Sequence, residues 1–159
     1  MRELLELLKH DARRPARELA SMLNISEYEV EQKMAQMEKD NIILSYNTLI
    51  NWDKAGDNTV TAIIEVNLTP QREVGFDAIA ERIYRFDEVR TVYLMSGNFD
   101  LLVIIEGKSL QDVANFVATR LATIEGVTQT RSHFMLKAYK RDGIIVENKE
   151  KDRRLVMSI

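Results

Sequence analysis

Cysteine is absent from the 159 residues. That absence excludes disulfides, thiolate metal sites and a thiol nucleophile. Proline occurs twice and glycine six times. They fall where the hydrophobic period changes, as punctuation between elements. No apolar run approaches the roughly 18 residues that a membrane span needs. The opening MRELLELLKHD is an amphipathic, charged helix and not a signal sequence. A cytoplasmic location with no membrane partner is therefore expected. An excess of positive charge is also missing: 22 Lys and Arg stand against 25 Asp and Glu, a formal net charge of −3. A domain that coats nucleic acid by bulk charge is excluded. What is present is a 45% apolar fraction, enough for packed cores and against global disorder. The length allows one medium domain or two small ones.

The turn-rich stretch Asp53–Asn58 marks a boundary near Trp52–Val60. The expected organisation is a first domain over 1–51, a linker over 52–60, a second domain over 61–140 and a tail over 141–159. In the first, Leu4, Leu5, Leu7 and Leu8 form one helical stripe, and Ala16, Leu19, Ala20 and Leu23 a second. After Asn24-Ile25-Ser26, Val30, Met34 and Met37 form a third. Ser26 with Glu29 fits a capping box, so a helix starts at Glu27. Asn24 tolerates the left-handed backbone that the turn needs, and Ile25 and Val30 plug the helix crossing. Residues 42–44 and 46–50 are β-prone. Three helices and a small ribbon are the order of a winged helix-turn-helix.

In the second domain the period switches. Thr61–Leu68 alternates, Phe76, Ile79, Ala80 and Ile83 form a helical stripe, and Arg90–Met95 and Leu101–Ile105 read as strands. Leu110, Val113, Ala114, Val117 and Leu121 form another stripe capped by Ser109, and Val127–Tyr139 reads as a long strand. The order βαββαβ is the ferredoxin-like arrangement, with two helices on one face of an antiparallel sheet. The fold class is thus α+β. The uncovered face would carry Ile63, Tyr93, Met95, Met135 and Tyr139. Sheet-to-sheet dimerisation would cover it; scattered single apolar groups on the surface are the alternative.

Two constellations carry chemistry. In a helix-turn-helix the second helix of the unit enters the major groove while cations hold phosphates. Arg13, Arg14 and Arg17 are candidate backbone clamps; Ser26, Tyr28, Gln32, Lys33 and Gln36 are candidate contacts along the reading helix. That helix holds four acids, Glu27, Glu29, Glu31 and Glu38, against Lys33 and Lys39. Weak binding per subunit is expected, recovered by several heads on one duplex. The second constellation is Ser96-Gly97-Asn98-Phe99-Asp100. By its residues it is a hairpin turn, with Gly97 and Asn98 permitting positive φ and Asp100 capping it. Free amides at Gly97–Phe99 could also bind a ligand carboxylate, and Asp100 could accept from a ligand ammonium, as a free amino acid would require.

The segments RRPARELASMLNISEYEVEQKMAQMEKDNIILSYNTLIN, VYLMSGNFDLLVIIEG and LATIEGVTQTRSHFML resemble the Lrp/AsnC (leucine-responsive, feast/famine) family of transcription factors, from about Arg2 to Lys140. The resemblance implies a DNA-binding N-terminal domain and a second domain of the RAM type that regulates amino-acid metabolism. It implies pairing through the second domain's sheets and assembly of homodimers to tetramers or octamers. It places an effector amino acid beside Ser96–Asp100 and adds Thr130 and Ser132 to the cleft. Reading helices of that family carry several arginines, whereas the matching positions here hold Gln32, Lys33, Ala35 and Gln36.

The expected function is a sequence-specific DNA-binding regulator whose assembly and DNA binding respond to a small effector, an amino acid. The partners are double-stranded DNA, the effector and further copies of the chain. The alternative is an amino-acid-sensing oligomeric partner with weak or no direct DNA binding. An enzymatic reading has little support. His10 and His133 have no metal-ligand spacing, no phosphate-cradling loop or nucleophile elbow occurs, and Asp100 with Glu106 or Glu65 gives no convergent carboxylate pair. No cofactor and no metal are expected.

Overall fold

The computed structural model of the chain describes residues 1–69 and 75–146. The chain divides into two compact units, Met1–Ile50 and Asn51–Ile159. Among the described residues no helix is long and apolar enough to cross a membrane.

The first unit holds α1 (Arg2–His10), α2 (Ala16–Leu23) and α3 (Glu27–Lys39). The three stripes read from the sequence meet in one core of Leu4, Leu8, Leu19, Ala20, Val30 and Met37. Each fully buried large side chain there contributes about 1.5–3 kcal/mol by leaving water. Pro15, with φ fixed at −66°, opens α2. Asn24 ends it in the left-handed region at φ 53°, and the Ile25 amide donates to the Ala20 carbonyl at 3.1 Å. The backbone thereby reverses within two residues, and Ile25 packs against the core. Ser26 then caps α3. Its hydroxyl accepts from the Glu29 amide at 3.2 Å, and its own amide donates to the Glu29 carboxylate at 2.9 Å.

The ribbon expected over 42–50 does not form: those residues carry no strand. A lone two-stranded ribbon is marginal unless it buries an apolar face. Here Leu44 stays 83% exposed, and Asn47 hydrogen-bonds Ser45 locally at 2.8 Å. The segment is tied to α3 instead: the Ile42 and Ile43 amides donate to the Met37 carbonyl at 2.8 and 3.1 Å, Ile43 packs on the core, and the Tyr46 hydroxyl donates to Glu38 at 2.8 Å. Burial, then the Glu38 carboxylate, push that hydroxyl's pKa up to about 12.

The second unit opens with a single helical turn, α4 (Trp52–Ala55), capped by the Asn51 side chain on the Lys54 amide. It lies in the stretch expected as linker. Then follow β1 (Val60–Leu68), α5 (Gly75–Tyr84), β2 (Val89–Leu94), β3 (Leu101–Gly107), α6 (Leu110–Phe116) with a π-helical turn (Val117–Leu121), and β4 (Val127–Phe134). The strand order is β2-β3-β1-β4, antiparallel throughout. This is the expected βαββαβ arrangement. Ala62, Ile64, Val66, Val103 and Ile105 are fully buried against Ile79, Ile83, Val113 and Leu121 of the helices.

Two strand ends differ from expectation. The last strand stops at Phe134 and not at Tyr139, because its partner runs out: Phe134 pairs with Ala62, and Met135 makes a final bond to the Thr61 carbonyl. Residues 141–145, expected as tail, form a hairpin with Lys140: β5 (Lys140–Arg141) and β6 (Ile144–Ile145). Asp142 and Gly143 both have positive φ, 48° and 83°. Such an Asp-Gly pair builds the turn whose twist matches a hairpin. From Glu147 onward the expected tail, with the charged stretch Glu147–Arg154 and Leu155–Met157, lies outside the described residues.

The sheet face away from the helices is set by register. One row runs Tyr93, Leu102, Glu65, Arg131 across the four strands; the next runs Thr91, Ile104, Ile63, His133. Met95 and Met135 lie one residue past their strands, and Tyr139 precedes the hairpin.

Candidate functional site: a pinned turn and a reading helix

Residues 95–100 link β2 to β3, and four hydrogen bonds fix them. The Met95 amide donates to the Asp100 carbonyl at 2.8 Å, and the Asp100 amide to the Val66 carbonyl at 3.0 Å. The Leu68 amide donates to Asp100 Oδ2 at 2.7 Å, and the Asn67 side chain to the Asn98 carbonyl at 2.9 Å. Gly97 sits at φ +141°, which side chains rarely adopt. The turn is thus held to the last residues of β1. The amides of Ser96, Gly97, Asn98 and Phe99 donate to no acceptor among the described residues. Amides left without an acceptor in a turn are free to donate to an anion.

On the other side of β1, β4 brings Thr130 opposite Val66, and Thr128 donates to the Asn67 carbonyl at 3.1 Å. The fold therefore brings Ser96–Asp100 and Thr130 to one end of the sheet. Ser132 lies two residues further along, opposite Ile64, and is exposed. The sequence offers Asp100 both as the cap of the turn and as an acceptor for a ligand ammonium. One of its oxygens is engaged by the Leu68 amide, so it does clamp the turn. The amide it clamps lies 32 residues away in sequence, which no local pattern indicates.

The first unit gives the other site. Successive residues of α3 turn by about 100°. With Val30, Met34 and Met37 facing the core, the opposite strip carries Tyr28, Gln32, Ala35 and Lys39, with Gln36 at its border. All five are exposed. Glu27, Glu31 and Glu38 fall together on one flank, and Glu29 and Lys33 on the other. The acidic excess is thus displaced from the outward strip. Glu29 is further committed to the capping box. The Ser26 backbone amide, then the Ser26 hydroxyl, hold its carboxyl below the ordinary range, with Lys33 adding to both.

The candidate contacts are not equivalent. Ser26 is spent on the cap, and Gln36 donates to both oxygens of Asp40 at 2.9 Å. Arg14 folds back on α2: its guanidinium pairs with Glu18 at 2.9 Å, touches the Met22 sulfur at 3.0 Å and lies 4.0 Å from Asp11. Arg13 and Arg17 point to solvent. Lys39 is not among the contacts expected from the sequence, although its spacing of eleven from Tyr28 places it on the same strip.

Among the described residues no group of His, Asp and Glu side chains could hold a metal ion. His133 instead lies 3.0 Å from Glu65, which also accepts from Arg131 at 3.1 Å.

A helix-turn-helix head followed by an α+β domain is the make-up of a transcriptional regulator with a DNA-binding and a ligand-binding part. The chain belongs to the Lrp/AsnC family. Residues 2–38 match the AsnC-type helix-turn-helix domain, and residues 61–145 match the Lrp/AsnC ligand-binding domain. It is 46% identical over 157 residues to the HTH-type transcriptional regulator YugG of Bacillus subtilis, covering 98% of this chain and 95% of that protein. It is 33% identical to the HTH-type transcriptional regulator LrpA of Pyrococcus abyssi, covering 86% of this chain and 94% of the relative. Among solved structures, the feast or famine regulatory protein of M. tuberculosis complexed with L-methionine aligns with a TM-score of 0.72 at 22% identity, covering 92% of this chain and 96% of that one.

Proposed function

We propose that this regulator senses a free amino acid at the turn Ser96–Asp100 and couples its occupancy to the assembly of copies on DNA. The row of free amides at Ser96–Phe99, held by the Asp100–Leu68 bond, carries the reading. The amides offer donors to the α-carboxylate, and the Asp100 carboxylate offers an acceptor to the α-ammonium. Thr130 lines the far side, with Ser132 toward the rim. The M. tuberculosis relative was solved with L-methionine, which is a ligand of this chemistry.

Two copies pair through the sheet faces that carry Tyr93, Leu102, Ile104 and Ile63, and pairs assemble to tetramers or octamers. The effector lodges between pairs, stabilises one assembly over another and so resets the spacing of the heads. Each head places α3 in the major groove, with Tyr28, Gln32, Lys33 and Gln36 toward the bases and Arg13 and Arg17 toward phosphates. Position of the acids favours direct DNA binding over a purely sensing role, since Glu27, Glu31 and Glu38 leave the outward strip clear.

A thermal-shift panel of the amino acids on the full chain tests this, with light scattering and duplex retention measured on the hits. An effector at one hundred times its dissociation constant stabilises by about 2.7 kcal/mol. At least one amino acid is expected to raise the melting temperature and to change both assembly size and duplex retention. A panel in which none shifts the melting temperature would refute the sensing role.

A further inference from the structure

The side chains on the outward strip of α3 differ in what they can read. Guanine is taken through its O6 and N7 by arginine or lysine, adenine through its N6 and N7 by glutamine or asparagine, and the thymine methyl by small apolar groups. No arginine occurs in α3. The strip's one cation, Lys39, is the last residue of the helix, whereas base edges are met by the N-terminal part of a reading helix. Lys33 lies on the flank beside Glu29. Gln36 has its amide nitrogen engaged by Asp40. Gln32 is exposed, near the middle of the strip, and makes no hydrogen bond within the described chain. Ala35 follows it by three residues, so its methyl sits beside the Gln32 side chain on the helix surface.

We infer that α3 reads an adenine–thymine step at the centre of each half-site, with Gln32 bidentate on adenine N6 and N7 and the Ala35 methyl against a thymine methyl. This rests on the proposal that α3 enters the major groove. Tyr28, Lys33 and Gln36 face bases on either side of that step, and the phosphate contacts, which carry no base preference, come from Arg13 between α1 and α2, Arg17 in the first turn of α2 and Lys39 at the far end of α3. Glu31, on the acidic flank, is the side chain that would instead favour cytosine if the helix were rolled in the groove.

Selection by the full chain from a randomised duplex pool at about 50 mM salt tests this. Binding is then measured on the winning duplex and its single-base variants, for the wild type, Gln32→Ala and Gln32→Arg. The winning sites are expected to carry A·T pairs at the half-site centre. Replacing the contacted A·T by G·C is expected to weaken wild-type binding by about tenfold and to leave Gln32→Ala nearly unaffected. Gln32→Arg is expected to invert the preference toward G·C. Circular dichroism should be unchanged, because Gln32 is exposed and lies outside the core of the first unit. Guanine- or cytosine-centred sites for the wild type, or full A·T preference in Gln32→Ala, would overturn the inference. Retention of duplexes with no base preference would overturn it while leaving DNA binding intact; retention of no duplex would overturn both.

Discussion

The carboxylate of Asp100 accepts the Leu68 amide at 2.7 Å, tying the turn between β2 and β3 to the last residue of β1. The same carboxylate is the acceptor proposed for a ligand ammonium, and two substitutions separate these roles. Asp100→Ala removes both. It is expected to cost about 1–2 kcal/mol of stability and to abolish any thermal shift by the effector. Asp100→Asn keeps a carbonyl oxygen for the Leu68 amide but removes the charge. It is expected to melt close to the wild type and to bind the effector about tenfold more weakly, since one charge-assisted hydrogen bond is gone. Melting curves with and without amino acid distinguish these outcomes. An Asp100→Asn variant that responds like the wild type would make Asp100 a clamp only.

Much of this was legible in the sequence, and what was not has a common cause. Helical stripes, the Ser26 and Ser109 caps and the alternation in β1 are local patterns, and the chain folds as they direct. The shortfalls depend on partners remote in sequence. Ribbon residues over 42–50 have strand composition, but only Ile43 packs on the core while Ile42, Leu44, Tyr46, Leu49 and Ile50 stay exposed. The length of β4 is fixed by where β1 begins. Which amide Asp100 caps depends on Leu68, and the withdrawal of Arg14 from solvent depends on where Glu18 and Met22 fall on α2. Summed charge makes α3 an acidic helix; only the buried positions Val30 and Met37 fix which side those acids occupy.

The Ser26–Glu29 capping box makes stability depend on pH in a stated direction. Glu29's pKa is lowered in the folded chain, chiefly by the Ser26 backbone amide and then its hydroxyl. A lowered folded pKa gives stabilisation that is present above the ordinary glutamate value of about 4.3 and lost as pH falls through the folded value. The melting temperature of Glu29→Ala is therefore expected to lie below the wild type at neutral pH. The gap should close on acidification below about pH 4. Ser26→Ala is expected to cost about 1 kcal/mol at neutral pH. A gap that stays constant down to low pH would mean the carboxylate's charge contributes nothing to the cap.

The three arginines of the first unit should separate by salt dependence. Removing one cation from a phosphate reduces the steepness of log affinity against log salt by about 1. Arg13→Ala and Arg17→Ala are each expected to reduce it by that amount, weakening binding alike on all sequences. Arg14→Ala is expected to leave the slope unchanged. Its guanidinium is already paired with Glu18 at 2.9 Å, and the variant should instead melt slightly lower, by no more than an exposed helix pair contributes, about 0.5 kcal/mol. Titrations at several salt concentrations decide between these assignments.

The centre of the exposed sheet face tests the proposed pairing of copies. Ile104 lies in a row with Ile63, next to the row holding Tyr93 and Leu102, and only Glu65, Arg131 and His133 bring charge to these rows. Glu65 is paired with both of the latter, at 3.1 Å and 3.0 Å, so the edge of the face is largely neutralised within one protomer. A lysine at position 104 would have no acid free to meet it. In a lone protomer its ammonium would remain in water at little cost. Between two faces it would be buried without a partner, at several kcal/mol. Ile104→Lys is therefore expected to sediment as a folded monomer with unchanged circular dichroism, where the wild type sediments as a dimer or larger. Because Ile104 points away from the helices, misfolding cannot stand in for failed association. A variant that assembles like the wild type would place the interface elsewhere, and the amino-acid crevice would then need walls other than neighbouring pairs.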